Sequence, residues 1–170
     1  MEVVELPDPV AGPGHLLVRV HAATVNPTDT YVRNGARAEH QRKDPPPYVP
    51  GMDAAGVLEA IGDGVETDLE VGDHVMAIVL PDGAHGGYCQ RLALPAGSVA
   101  RVPAGASFAE ASTIPMNGLT ARLALDELDL PNGGTVAVTG AAGAFGGYCV
   151  QLAKADGLRV IADASEADEQ

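Results

Sequence analysis

Short apolar runs rich in β-branched residues recur through the first part of the chain: "HLLVRVHAATV" (15–25), "AAGVLEAIG" (54–62), "HVMAIVL" (74–80) and "GYCQRLAL" (87–94). Runs of this length, bounded by Gly, Pro and Asp turns such as "DGVETDLEVGD" and "LPDGAHGG", predict strands. Pro45, Pro46 and Pro47, followed by Pro50, impose an extended, helix-free segment before Gly51. Residues up to about 105 therefore predict a compact β domain with irregular loops.

The period changes at Ser107. "SFAE" places a Ser N-cap three residues before Glu110, the spacing of a capping box, and predicts a helix to about Ile114, where Pro115 interrupts it. A second helix is predicted in "LTARLALDEL", with Leu119, Leu123 and Ala124 at helical spacing. "PNGG" (131–134) reads as a turn. A strand at 135–139, a Gly-rich turn, a helix to about Asp156, a stop at Gly157 and a strand at 158–163 complete the pattern.

Composition changes this picture little. At 170 residues and 46% hydrophobic, the chain can hold one ordinary domain, or one small domain and part of another. No apolar run approaches the ~20 residues of a membrane span, and Glu2 after Met1 is not the basic start of a signal peptide. A soluble, cytoplasmic protein with no membrane partner is expected. The net charge of −13 disfavours nucleic acid, whose phosphates it would repel. Cys89 and Cys149 lack metal-site spacing and read as small buried hydrophobes; both follow a Gly-Gly-Tyr string, a repetition the sequence does not explain.

Gly140, Gly143 and Gly146 lie between a predicted strand and a predicted helix. In that context glycines permit a tight turn, close approach of a pyrophosphate to the backbone, and packing of the helix on the strand, whose N-terminal N–H groups then face phosphate. The short-chain dehydrogenase turn TGxxxGxG is a poor match. Ala144 stands where that pattern needs its second Gly, and no Tyr-x-x-x-Lys pair occurs.

A β domain followed by strand, "GAAGAFG" and helix resembles the medium-chain dehydrogenase/reductase superfamily, and within it the zinc-independent quinone oxidoreductase (zeta-crystallin-like) branch. The resemblance rests also on "ATVNPTDTYVRNG" (23–35), "PGMDAAGVLEAIGDGV" (51–65), "VGDHV" (71–75) and "MNGLTA" (116–121), in order and spacing. It implies an α/β plus β fold: a GroES-like catalytic domain over 1–106 lacking its N-terminal edge, then the first βαβ unit of an incomplete, doubly wound Rossmann domain over 107–170. On this reading the chain is truncated at both ends, a poor enzyme by itself, with an open apolar strand edge prone to self-association.

The zinc-dependent relatives place Cys, His and Cys where this chain has Asn26, Met52 and Met116. Amide oxygen and thioether are poor zinc donors, and Asp29 and Asp53, which match acids near the metal, do not by themselves make a site. His74 and His85 read as solvated loop residues rather than ligands. No metal is expected. Hydride transfer from a nicotinamide to a quinone or to the β-carbon of an enone needs alignment, a hydrogen bond to the developing oxyanion and a proton.

The resemblance places Asn26, Tyr31 and Thr120 around nicotinamide and substrate. Asn26 is either an oxyanion donor or a turn residue before Pro27, and Tyr31 either a pocket wall and donor or a core aromatic. Thr120 would contact the carboxamide, while Arg37 replaces a second aromatic of the relatives. Gly140, Gly143, Ala144, Phe145 and Gly146 would hold the pyrophosphate.

For the cofactor, family spacing matches the ribose-diol position to Ala164, with Asp163 on the opposite strand face. Ala164 leaves room for a 2′-phosphate and Ser165 can bond it, so NADPH is expected over NADH. The expected activity is reduction of quinones or activated alkenes, with a homodimer in the full-length form. The alternatives are an enoyl-reductase module of a polyketide synthase and a noncatalytic remnant or interaction module. Elemental analysis of tag-free protein should find no stoichiometric zinc; about one zinc per chain would overturn the zinc-free assignment.

Overall fold

The computed structural model describes residues 2–36, 38–41, 46–80 and 85–168. They form two compact units, Met1–Pro115 and Met116–Gln170.

The first unit is built on one antiparallel sheet of β1 (His15–Ala23), β2 (Asp53–Ile61), β3 (His74–Ile78), β4 (Arg91–Pro95) and β5 (Val99–Arg101). The strand order is β4-β1-β2-β3-β5. Four of these strands fall where the apolar runs predicted them; the short edge strand β5 had no such signal. Alternation along β1 buries Leu16 and Val18, which pack with Leu58, Leu69 and Val75. A second cluster joins Ala54, Ala77, Val79, Leu92 and Leu94. Leu16 and Leu58 are fully buried, each worth roughly 1.5–3 kcal/mol of burial. β2 is central and its first four residues, Asp53 to Gly56, are all buried.

The strand reading missed α1 (Pro27–Asn34). Its signals were present: Asn26 is the N-cap, proline opens the first turn, Asp29 is the third helical residue, and Gly35 ends it in the left-handed region at φ 80°. A short helix α2 (Ala38–Gln41) follows. Residues 46–50 form neither helix nor strand, as the prolines dictate. β4 starts later than its apolar run because Gly87 N–H donates to Gly51 O (2.8 Å) and Tyr88 N–H to Pro50 O (3.0 Å) instead of extending the ladder.

Helix α3 (Phe108–Ala111) opens on the expected capping box: Glu110 N–H donates to Ser107 Oγ (3.2 Å) and Ser107 N–H to Glu110 Oε2 (2.8 Å). α3 packs on β1, β2 and β3. Phe108 stacks on His21 with ring centroids 4.7 Å apart and tilts against His74 at 4.6 Å. The stretch 107–115, assigned from the sequence to the second domain, thus falls within the first compact unit.

In the second unit α4 runs from Pro115 to Leu128, β6 from Thr135 to Thr139, α5 from Ala144 to Ala155 and β7 from Arg159 to Asp163. Pro115 opens α4 rather than only ending the preceding helix, as its fixed φ and missing N–H allow at a first turn. Beyond its opening Pro115, the buried residues of α4 are Ala121 and Leu125, while Leu119 and Leu123 of the apolar spacing are exposed. Ala121 and Leu125 join Val136, Val138, Cys149, Ala153 and Leu158 in one core. β6 and β7 pair in parallel, Thr135 opposite Arg159 and Thr139 opposite Asp163. Gly157 turns the chain between α5 and β7 at φ 76°. No helix among the described residues is long and apolar enough to cross a membrane.

Replacing Ser107 by Ala should lower unfolding free energy by about 1 kcal/mol, the usual worth of an N-cap. Hydrogen bonds from the backbone and then the hydroxyl of Ser107 hold Glu110 below its ordinary pKa of 4.5. A lowered folded-state value gives stability that is complete above 4.5 and lost as pH falls through that lowered value. Urea unfolding at pH 7 and pH 3 checks this: Glu110→Gln should cost stability at pH 7 and much less at pH 3.

Candidate functional site

The first unit gathers its buried polar residues where α1 meets the start of β2. Asp53 is completely buried, Asn26 and Asp29 nearly so. Asn26 Nδ2 donates to Asp53 Oδ2 at 2.8 Å. Asp29 accepts on both oxygens: Oδ2 from the Asn26 backbone N–H (2.7 Å), Oδ1 from the Gly51 N–H (2.8 Å). Tyr88 Oη–H points at Asp29 Oδ2 (3.3 Å) and at Thr24 O (3.4 Å). Among the described residues no buried side-chain nitrogen or oxygen lacks a partner. Burial, then the charge of Asp29 and the hydrogen bond to it, push the Tyr88 hydroxyl up to about 12.

Glycines let the backbone close around this cluster. A Cβ at Gly51 would lie 2.7 Å from Gly87 N and from a Tyr88 ring carbon, and Gly51 has φ 108°. A side chain at Gly86 would fall on Pro50 O. The first Gly-Gly-Tyr-Cys string is therefore a close backbone passage beside Asp53. In the second, Gly146 packs on the turn before α5, whereas Gly147 faces open space. The two strings share no common structural reason.

In the second unit Gly140, Gly143, Ala144, Phe145 and Gly146 make one turn between β6 and α5. Gly140 takes φ 63°, Gly143 N–H donates to Gly140 O (3.0 Å), and Ala141 N–H to Asp163 O (3.0 Å). A Cβ at Gly146 would fall on Gly140 O, so only glycine lets the helix start this close to the strand end. Gly143 is the N-cap of α5 and has no side chain to bond the first-turn N–H groups. The first intrahelical bond runs from Gly147 N–H to Gly143 O (2.8 Å), leaving the N–H groups of residues 144–146 pointing out of the helix end. This cradle fits a pyrophosphate. Ala144 and Phe145 are exposed beside it.

The remaining predicted residues are Tyr31, Thr120, Ala164 and Ser165. Tyr31 is half exposed, which removes the core-aromatic reading. Thr120 is exposed on α4 and its hydroxyl donates to Met116 O (2.6 Å). Ala164 and Ser165 are exposed just after β7. Ser165 Oγ–H donates to Asp168 Oδ2 (2.6 Å) and Ser165 N–H to the same oxygen (3.2 Å), so an acid occupies the hydroxyl that the sequence offered to a 2′-phosphate. Asp168 was not signalled, because a surface acid near a strand end has no pattern of its own. Tyr88 was missed for a different reason: only the fold carries it back to Asp29. Arg37 lies outside the described residues. Among the described residues no three His, Cys, Asp or Glu side chains cluster as a metal site.

An antiparallel sheet followed by a parallel βαβ unit with a Gly-rich turn is the order of elements expected of the medium-chain dehydrogenase/reductase superfamily. The chain belongs to the alcohol dehydrogenase GroES-like domain family, whose family model matches residues 12–123. Several of the relatives it resembles are quinone oxidoreductases. It is 36% identical over 168 residues to a probable quinone oxidoreductase of Schizosaccharomyces pombe, covering 98% of this chain and 48% of the relative. Among solved structures it resembles an NAD-dependent alcohol dehydrogenase (TM-score 0.84, 34% identity, 99% of this chain and 55% of the other). It also resembles the quinone oxidoreductase of Thermus thermophilus, known with NADPH (TM-score 0.75, 38% identity, 97% and 50%). The chain spans about half the length of the curated relatives it matches.

Tyr88 should ionise well above the ordinary tyrosine value of 10. Its raised folded-state value means a contribution to stability complete below pH 10 and lost as pH rises toward 12. Absorbance titration near 295 nm should show an ionisation about two pH units late, and Tyr88→Phe should remove it.

Proposed function

We propose that the chain carries the substrate side and the pyrophosphate turn of a zinc-free oxidoreductase that uses NADPH to reduce quinones or activated alkenes. The observation that carries this reading is Asn26. It stands where the zinc-dependent relatives place a ligand Cys, and its amide nitrogen bonds a buried carboxylate at 2.8 Å. An amide nitrogen has two protons, so one is held by Asp53 and the other serves an oxygen that gains negative charge.

The residues present fit a bound dinucleotide, which would supply the hydride. The turn from Gly140 to Gly146 bonds its pyrophosphate through N–H groups at the start of α5, where the helix dipole favours negative charge. Tyr31, exposed on α1, provides an apolar wall and an O–H donor. Thr120 keeps its hydroxyl oxygen as an acceptor for a carboxamide while its proton goes to Met116 O. The finding of an NADPH complex in one neighbour supports the cofactor, and Ala164 leaves space for the added phosphate. The NAD-dependent neighbour and the hold of Asp168 on Ser165 oppose it.

NADPH oxidation with a small quinone by the full-length form, followed by absorbance, tests the reading; turnover with NADPH supports it, and its absence with quinones and enones alike rejects it. Comparing dissociation constants tests the cofactor. NADPH should bind tighter than NADH, Ala164→Asp should narrow or reverse the difference, and Asp168→Asn should widen it several-fold by freeing Ser165. Gly146→Ala should weaken both cofactors together.

A further inference from the structure

We infer that Asp53 is a positioning residue for Asn26: it fixes which end of the carboxamide donates, and in which direction. The inference deepens the functional reading above and rests on it for its catalytic meaning, but its geometry stands alone. A free carboxamide can present oxygen or nitrogen to a ligand, and turning it by half a revolution exchanges donor for acceptor. A residue that must meet a developing oxyanion has to present nitrogen before the charge appears, since a donor that reorients during reaction gives back much of its benefit.

Several features remove that freedom at Asn26. Asp53 Oδ2 accepts from Nδ2 at 2.8 Å, and a carboxylate oxygen accepting there meets the amide nitrogen and not its oxygen. On the other side the backbone of Asn26 is pinned to Asp29: its N–H donates to Asp29 Oδ2 at 2.7 Å and its C=O accepts from the Asp29 N–H at 3.0 Å, while its side chain makes no cap hydrogen bond to the helix. Both partners are themselves fixed. Asp53 opens the central strand and is completely buried. Asp29 is tied to Gly51 N–H at 2.8 Å.

Burying two carboxylates this close together is costly for a mere helix cap. Exposed Ser107 caps α3 with no second buried acid. The added acid at Asn26 therefore reads as orientation for the amide, and not only as capping.

Hydrogen exchange of side-chain amides in the ¹⁵N-labelled chain tests this without any appeal to turnover. The Asn26 pair is assigned by its loss in Asn26→Ser. One Asn26 Nδ2 proton should exchange at least about ten times more slowly than those of exposed Asn34. Asp53→Leu, similar in shape but without an acceptor, should abolish that protection, and Asp53→Asn, which keeps an acceptor oxygen, should retain most of it. In steady-state reduction Asp53→Leu should lower kcat by about tenfold or more with KM for the nucleotide unchanged, and Asp53→Asn should recover part of the loss.

Asn26 protons that exchange as fast as those of Asn34, or that are equally protected in Asp53→Leu, would overturn the inference. Should Asp53→Leu not fold, the wild-type comparison with Asn34 alone decides. Protection that depends on Asp53 in a chain that reduces no quinone would uphold the orientation and reject the functional reading.

Discussion

The first unit depends on how a carboxylate can be buried. Asp53 lies out of reach of water at the start of the central strand, and a carboxyl group removed from water costs about 2 kcal/mol or more unless hydrogen-bond partners replace the lost hydration. Those partners come from elements distant in sequence. Asn26 meets Asp53, Asp29 is met by Gly51 and Tyr88, and each contact fixes the segment that brings it. The N-terminus of α1, the loop after the prolines and the approach to β4 are thus held to one point of the sheet. Apolar packing alone would leave these loops free to slide. Directional bonds to buried acids do not.

The second unit is governed by an absent atom instead. β6 must end, turn and feed α5 with the helix start pressed against Gly140, and any side chain at residue 146 would collide with that carbonyl. The same closeness leaves the first-turn N–H groups together and outward. Tight packing and anion affinity here are one geometric fact, because the conformation that admits the helix exposes its donors.

Much of this was legible in the sequence, since it is written in local rules. Four strands, the capping box at Ser107 and the strand–turn–helix around Gly140 follow from period, cap and turn chemistry over a few residues. α1 was passed over because its short amphipathic pattern lies among β-branched runs, although Asn26, Pro27 and Gly35 marked both its ends. The buried face of α4 was misread for a physical reason: Leu119 and Leu123 are the more apolar residues, but small Ala121 is what permits close packing beside Val136 and Val138. The link from Asn26 to Asp53 spans 27 residues and was beyond local reading. Only the pairing of strands brings these two side chains to one place.

The charge of the chain adds a last constraint. A protein of net charge −13 repels a dinucleotide at long range, yet at physiological salt that field is screened beyond about 8 Å. Short-range groups then decide how an anion is received. At the turn the backbone N–H groups and the start of α5 attract one, and beyond β7 the carboxylate of Asp168, bonded to Ser165, repels one. On the proposed function a pyrophosphate would lie against the first set and a 2′-phosphate near the second. Nucleotide affinity and the choice between NADPH and NADH would then be set by separate parts of the unit, the glycines for the first and the residues just beyond β7 for the other.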